Sequence, residues 1–128
     1  MRDIKFRGKT KLGDWLYGSL TNIVNHYQIV ACTGAYMDVL EETIGQFTGL
    51  YDKNKTPIYE GDIVRYFENE CAYIHWNKDR MAWGIEPIDK EVYFDSPYLS
   101  DNTNIEVIGN IYENSDLLGE WIYDTKRI

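Results

Sequence analysis

Cysteine, histidine and proline are all scarce in this chain, whose 128 residues include two Cys, two His and three Pro. Two cysteines, Cys32 and Cys71, are too few for a disulfide framework, and neither lies in a C-x-x-C pair. Each sits beside apolar residues in a predicted strand, so buried free thiols in a reducing cytosol are expected. Neither His26 nor His75 has a His, Cys or carboxylate at metal-ligand spacing, so no metal or cofactor is expected. His75, between Ile74 and Trp76, reads as a strand residue on a polar face. H-E-x-x-H, Walker A, G-x-S-x-G and dinucleotide patterns are absent from the sequence. No stretch approaches the roughly 20 apolar residues of a membrane helix. Met1-Arg2-Asp3-Ile4-Lys5 lacks the apolar core of a signal peptide. Without repeats or linkers rich in Pro, Gly or Ser, a single domain over 1–128 is expected, soluble and away from membranes. A chain of this length buries about two-thirds of its unfolded surface and needs no cross-link to fold.

Aromatic residues and acidic charge are plentiful. Eleven Tyr and four Trp bring the aromatic share to 15%. Flat rings suit a pleated surface, so an aromatic β-sheet core with cross-strand pairs is expected first, and a partner surface second. The net charge is −8. Residues 1–40 hold five basic against three acidic residues, which leaves −10 for the rest. An acidic body of this kind opposes binding to a phosphate backbone except through a local basic patch.

Short elements alternating with turn signals predict a mainly β fold with one or two short helical turns. Residues 3–9 alternate, with Ile4 and Phe6 assigned to the core side and Lys5, Arg7 and Lys9 to solvent. A turn at Lys11–Asp14 leads to a return strand over Trp15–Leu20. Tyr27–Cys32 reads as a third strand, broken by Gly34. Residues 38–45 suit a helical turn capped by Asp38, or a strand at 35–40 and then a loop. Phe47–Leu50 is a short apolar run ending in the polar turn Asp52-Lys53-Asn54-Lys55. The Glu60-Gly61-Asp62-Ile63-Val64 corner resembles the opening of small SH3-like barrels, with Gly61 bending and Asp62 bonding its own turn. Cys71–Trp76 and Met81–Ile85 form a predicted hairpin over Asn77–Arg80. Val92–Phe94 reads as another short strand, and 95–104 as the most mobile loop. Ile105–Ile111 is a strand whose Gly109 marks a bulge or a close backbone approach. A capped turn over Asn114–Gly119, a last element over Glu120–Asp124 and a frayed end complete the chain.

Three chemical readings can be built on these residues. Lys5, Arg7, Lys9 and Lys11 share parity and could form a cationic row beside Trp15 and Tyr17, the pattern of single-stranded nucleic-acid binding. The competing reading, a solvated or charge-guarded edge strand, carries more weight against the acidic body. Glu60, Asp62 and Glu113 are the carboxylates available to a small hydrolase. A hydrolytic dyad needs a fixed separation and one raised pKa, and a turn-bonded Asp62 with a solvated Glu60 is the simpler account.

Two segments, Gln46–Val64 and Ile105–Asn114, together resemble the signature of the YopX family of small phage and prophage proteins. Ile4-Lys5-Phe6-Arg7-Gly8 and Trp15–Leu20 are similar to the opening of that family, whereas 66–104 carry no resemblance. The resemblance implies a mainly β, phage-encoded protein with no assigned activity and no catalytic residue to transfer. Gly49, Glu60, Gly61, Asp62 and Gly109 would then be structural turn residues. It also implies self-association. Family members often carry Gly at the place of Lys55, so this turn either strains Lys55 or shifts the left-handed conformation to Asn54. The expected function is that of a non-enzymatic accessory protein in the host cytoplasm, self-assembling or bound to a phage or host protein. A single-stranded nucleic-acid module is the alternative and a carboxylate hydrolase the third reading.

Overall fold

The structure, a computed structural model, describes residues 2–67, 70–89, 91–102 and 104–114. It is mainly β, with ten strands and two short 3-10 turns among these residues. The strands divide between two compact units, Met1–Gly49 and Leu50–Ile128.

The first unit is an antiparallel sheet of β1 (Phe6–Lys9), β2 (Trp15–Ile23), β3 (His26–Val30), β4 (Tyr36–Asp38) and the start of β5 (Gly45–Tyr51). The spatial order is β4-β3-β2-β1-β5. The β2–β3 turn places Val24 and Asn25 at φ 52° and 61°, the paired left-handed conformations that a tight hairpin requires. The Asn22 side chain accepts the Asn25 N–H at 3.1 Å and holds that turn. Gly18 lies so close to β3 that an added Cβ would stand 2.0 Å from the Val30 carbonyl oxygen. Both structures considered for 35–45 occur in sequence: β4, then a 3-10 turn over Glu41–Thr43. Asp38 does not cap that turn, which begins after Leu40 without a side-chain cap. Its carboxylate instead accepts from the Gln28 amide at 2.9 Å and meets His26 Nε2 at 2.8 Å.

The expected facing of the first strand fails at Ile4 and Arg7, while Phe6 and Lys9 are both half-buried. Ile4 is 56% exposed, whereas Arg7 is only 6% exposed. Pairing begins at Phe6, so Ile4 precedes the strand. The guanidinium of Arg7 lies over the Trp15 ring, 4.9 Å from its centroid. A planar cation stacked on an indole can be covered at modest cost, which alternation of polar and apolar residues does not reveal.

The second unit opens with Leu50 and Tyr51, the end of β5, and β6 (Pro57–Tyr59). Its main sheet comprises β7 (Asp62–Phe67), β8 (Glu70–Asn77), β9 (Ala82–Pro87) and β10 (Glu106–Asn110), in the order β10-β7-β8-β9. The core is aliphatic: Ile58, Val64, Ala72, Ile74, Ile85, Leu99 and Ile105. A smaller cluster on the opposite face joins Ile63 and Ile88. The expected aromatic core with cross-strand pairs holds in part: Tyr59 is buried, and Trp76 and Trp83 face each other across β8 and β9 with ring centroids 5.0 Å apart. Tyr66, Trp83 and Phe94 pack around the aliphatic centre, while Tyr51, Trp76 and Tyr93 stay exposed. Branched aliphatic side chains fill the narrow space over the sheet, and the larger rings with polar tips fall to its margins.

The Asn77–Arg80 hairpin is formed, with Asn77 Oδ1 accepting the N–H groups of Asp79 and Arg80. Val92–Phe94 is not a strand. Residues 95–102 are anchored at Leu99, which is fully buried in a 3-10 turn, and the Asn102 amide donates to the Ser96 and Tyr98 carbonyls, while Asp95, Ser100 and Asp101 stay exposed. The cysteines also depart from expectation, for Cys32 is exposed and Cys71 only half-buried. The turn and final element expected over 115–124, and the frayed end, lie outside the described residues. Among the described residues no helix is long and apolar enough to cross a membrane.

Candidate functional site

The two signature segments meet through one side chain. Asp52 is 6% exposed in the turn between β5 and β6. Its Oδ1 accepts the N–H groups of Asn54 at 2.8 Å and Thr56 at 2.9 Å, closing the turn on itself. Its Oδ2 accepts the Val107 N–H of β10 at 2.9 Å. Lys53 donates its N–H to the Ile105 carbonyl at 3.0 Å, and the Asn54 amide reaches Glu106 at 3.1 Å. Glu106 also accepts from Arg65, and these two bonds hold its carboxyl below the usual range, Arg65 contributing most. The turn thus lies along the outer edge of β10. Lys55 carries the left-handed conformation, φ 66°, with no shift of that role to Asn54.

The Glu60–Asp62 corner is a second structural joint. Gly61 adopts φ +89°, and an added Cβ would stand 3.0 Å from the Tyr112 ring. Its N–H donates to the Ile74 carbonyl and its carbonyl accepts from Ile111. Asp62 is buried, and its Oδ2 accepts the Tyr59 N–H at 2.7 Å. Glu60 is half-buried, and Glu113 is exposed in the turn after β10. That turn is organised by Asn110, whose Oδ1 accepts from Tyr112 and Glu113, and by Asn114, whose Oδ1 accepts from Asn110. Gly109 follows a bulge in the β10–β7 register and lies against Asn114, leaving no room for a Cβ. Gly49 has φ +85° and open space around it.

The basic residues of the first unit do not form one row. Lys5 pairs with Asp3 at 3.5 Å and lies over the Phe47 ring. Arg7 is covered on Trp15, Lys9 is half-buried in β1, and Lys11 is in the turn beyond the strand. The shared parity of these four is lost where the strand ends at Lys9.

Two clefts in the second unit flank the segment that carries Tyr93 and Phe94, and no motif in the sequence signals them. One, of about 530 Å³, is bordered by Tyr66, Tyr93, Phe94, Asp95, Asp101 and Asn102. The Tyr66 and Phe94 rings stand 4.4 Å apart, and burial raises the Tyr66 phenol above its ordinary pKa. Asp101 accepts the Ser96 hydroxyl at 2.6 Å. The other cleft, of about 390 Å³, is bordered by His75, Arg80, Glu86, Tyr93, Phe94 and Pro97. There Tyr73 donates its hydroxyl to Glu86 at 2.8 Å, and His75 Nε2 lies 3.5 Å from the same oxygen. Burial, and then the bond to Glu86, raise the Tyr73 phenol well above its ordinary range. Tyr93, shared by both clefts, is 88% exposed. Among the described residues no group of three or more His, Cys, Asp or Glu side chains could hold a metal ion.

These features define a mainly β protein whose most distinctive segments are joints between strands. The chain belongs to the YopX family: the family model, described as YopX protein, matches residues 5–119. No curated protein matches the chain.

Proposed function

We propose that this protein is a non-enzymatic accessory protein of phage type, acting through protein contacts in the cytoplasm of a bacterial host. The observation that carries the reading is the position of Tyr93, exposed on the segment between two clefts. A large ring held out of the core at the margin of concave surface suits a partner's side chain. Residues 50–128 hold eight basic against sixteen acidic residues, so this part of the chain carries the whole net charge of −8. The larger cleft adds Asp95 and Asp101 to aromatic walls, which favours a basic partner segment through charge and cation–π contact. Of the carboxylates considered for hydrolysis, Asp62 is committed to the Tyr59 amide, which supports this reading.

Titration of fluorescent hexa-arginine and hexa-glutamate peptides tests the proposal. Binding of the basic peptide alone, weakened by salt and lost at least tenfold in Tyr93→Ala and Asp95→Asn, is expected. Equal binding of the two peptides, or retention in both variants, would remove the cleft from consideration.

A further inference from the structure

We infer that the smaller cleft binds a small zwitterion, a free α-amino acid with a bulky apolar side chain. The site is separate from the larger cleft and adds a small-molecule ligand to the protein contacts proposed above.

The cleft brings together opposite charges that do not neutralise each other. Arg80 holds its guanidinium 5.8 Å from the centroid of the Tyr98 ring and pairs with no carboxylate among the described residues. It does so in a unit with sixteen acidic residues. Glu86 keeps one oxygen in place, since Oε2 accepts the Tyr73 hydroxyl and lies beside His75. Its Oε1 accepts from no described residue and is open to a donor. The planar guanidinium can take a carboxylate through two parallel bonds, and a carboxylate oxygen fixed by its neighbours suits an ammonium.

Both charges lie on one face of the sheet. Gly84 of β9 pairs with His75 of β8 and bridges to Tyr98 beyond the strand edge. Residues opposed in an antiparallel pair share a face, and Glu86 lies two residues further along β9, so it shares that face too. Tyr98 with Arg80 over it, His75 and Glu86 thus form a strip. An added Cβ on Gly84 would stand 2.9 Å from His75 Nε2. The glycine lets the imidazole lie down on the sheet and keeps the strip open above it. A ligand whose ammonium meets Glu86 and whose carboxylate meets Arg80 spans the strip over His75.

The rest of the lining selects the side chain. Ile85, Val92, Tyr93, Phe94 and Pro97 form an apolar wall, and the volume of about 390 Å³ suits a ligand the size of an aromatic amino acid. Net charge selects the zwitterion over a simple anion. The second unit carries −8, which repels an anion at a distance, whereas a ligand neutral overall meets no such barrier. A simple amine would leave Arg80 unmatched.

Isothermal titration calorimetry of the full chain tests this with L-phenylalanine, with phenethylamine, which lacks the carboxylate, and with 3-phenylpropionate, which lacks the ammonium. L-Phenylalanine should bind with a Kd below about 1 mM, and each analogue about tenfold more weakly. Arg80→Met should weaken L-phenylalanine and 3-phenylpropionate about tenfold and leave phenethylamine unchanged. Glu86→Gln, which keeps an acceptor for Tyr73, should weaken L-phenylalanine and phenethylamine and leave 3-phenylpropionate unchanged. This crossed pattern separates direct contact from damage to the fold, which would weaken all three ligands together. No saturable binding of L-phenylalanine up to about 10 mM overturns the inference. Binding of either analogue as tight as that of L-phenylalanine, or equal losses for all three ligands in both variants, overturns it as well.

Discussion

The Asp52 carboxylate accepts the Val107 N–H at 2.9 Å, taking the place of a neighbouring strand at the edge of β10. The same group closes its own turn by accepting from Asn54 and Thr56. Charged acceptors bonded to backbone amides are among the stronger hydrogen bonds, and an amide left without its acceptor when buried is costly. Asp52→Ala should therefore destabilise the protein by about 3 kcal/mol. Urea unfolding followed by tryptophan fluorescence measures this, and a loss no larger than that of Asp14→Ala, an exposed control, would mean that the joint is incidental.

Lys55 offers the opposite case, a position where stability can be gained. Its φ of 66° is left-handed, which costs an L-residue roughly 1–2 kcal/mol, and glycine escapes that cost at a smaller entropic loss. Lys55→Gly should stabilise the chain by about 0.5–1 kcal/mol and raise Tm by about 2–3 °C. Thermal melts of the two proteins decide it, and a lower Tm for the glycine variant would refute the strain.

At Gly61, backbone strain and steric crowding coincide. The φ is +89° and the Tyr112 ring leaves 3.0 Å for a Cβ. Gly61→Ala should cost about 2 kcal/mol. In a Tyr112→Ala background the crowding is gone and only the strain remains, so the cost of the alanine should fall by roughly half. An identical cost in both backgrounds would assign the whole effect to the backbone.

The Tyr73 phenol should make stability sensitive to alkali. Its folded pKa is raised by burial and by the bond to Glu86, so its contribution is fully present below the ordinary phenol value of about 10. As pH rises above that value the unfolded chain ionises first, and stability falls until the folded group ionises too. Tyr73→Phe should flatten the part of the loss due to this group. Urea midpoints at several alkaline pH values test this, and parallel declines in wild type and variant would contradict it.

Legibility in the sequence followed distance along the chain. The Asn77–Arg80 hairpin could be read because its chemistry is local: one Asn side chain serves two amides within three residues. The Glu60–Gly61 corner and the Gly109 bulge were legible for the same reason. The facing of β1 was not, because a stacked Arg7 looks like a solvated cation in a hydropathy pattern. Asp52 read as one polar residue in a polar turn, since nothing nearby names Val107 as its partner. The clefts beside Tyr93 depend on Leu99 entering the core and drawing an apparently polar loop onto the sheet. A single Leu among Asp, Ser and Asn does not reveal that.

The Asp52–Val107 bond also bears on folding order, since its partners are 55 residues apart in sequence. Closing so long a loop carries an entropic cost that is recovered only after the intervening β7–β8–β9 meander has formed. The bond should thus form after the rate-limiting step. Its removal should leave the refolding rate nearly unchanged and speed unfolding, giving a φ-value near zero at Asp52. The joint acts as a late latch, and its main effect is on how long the native state persists once formed.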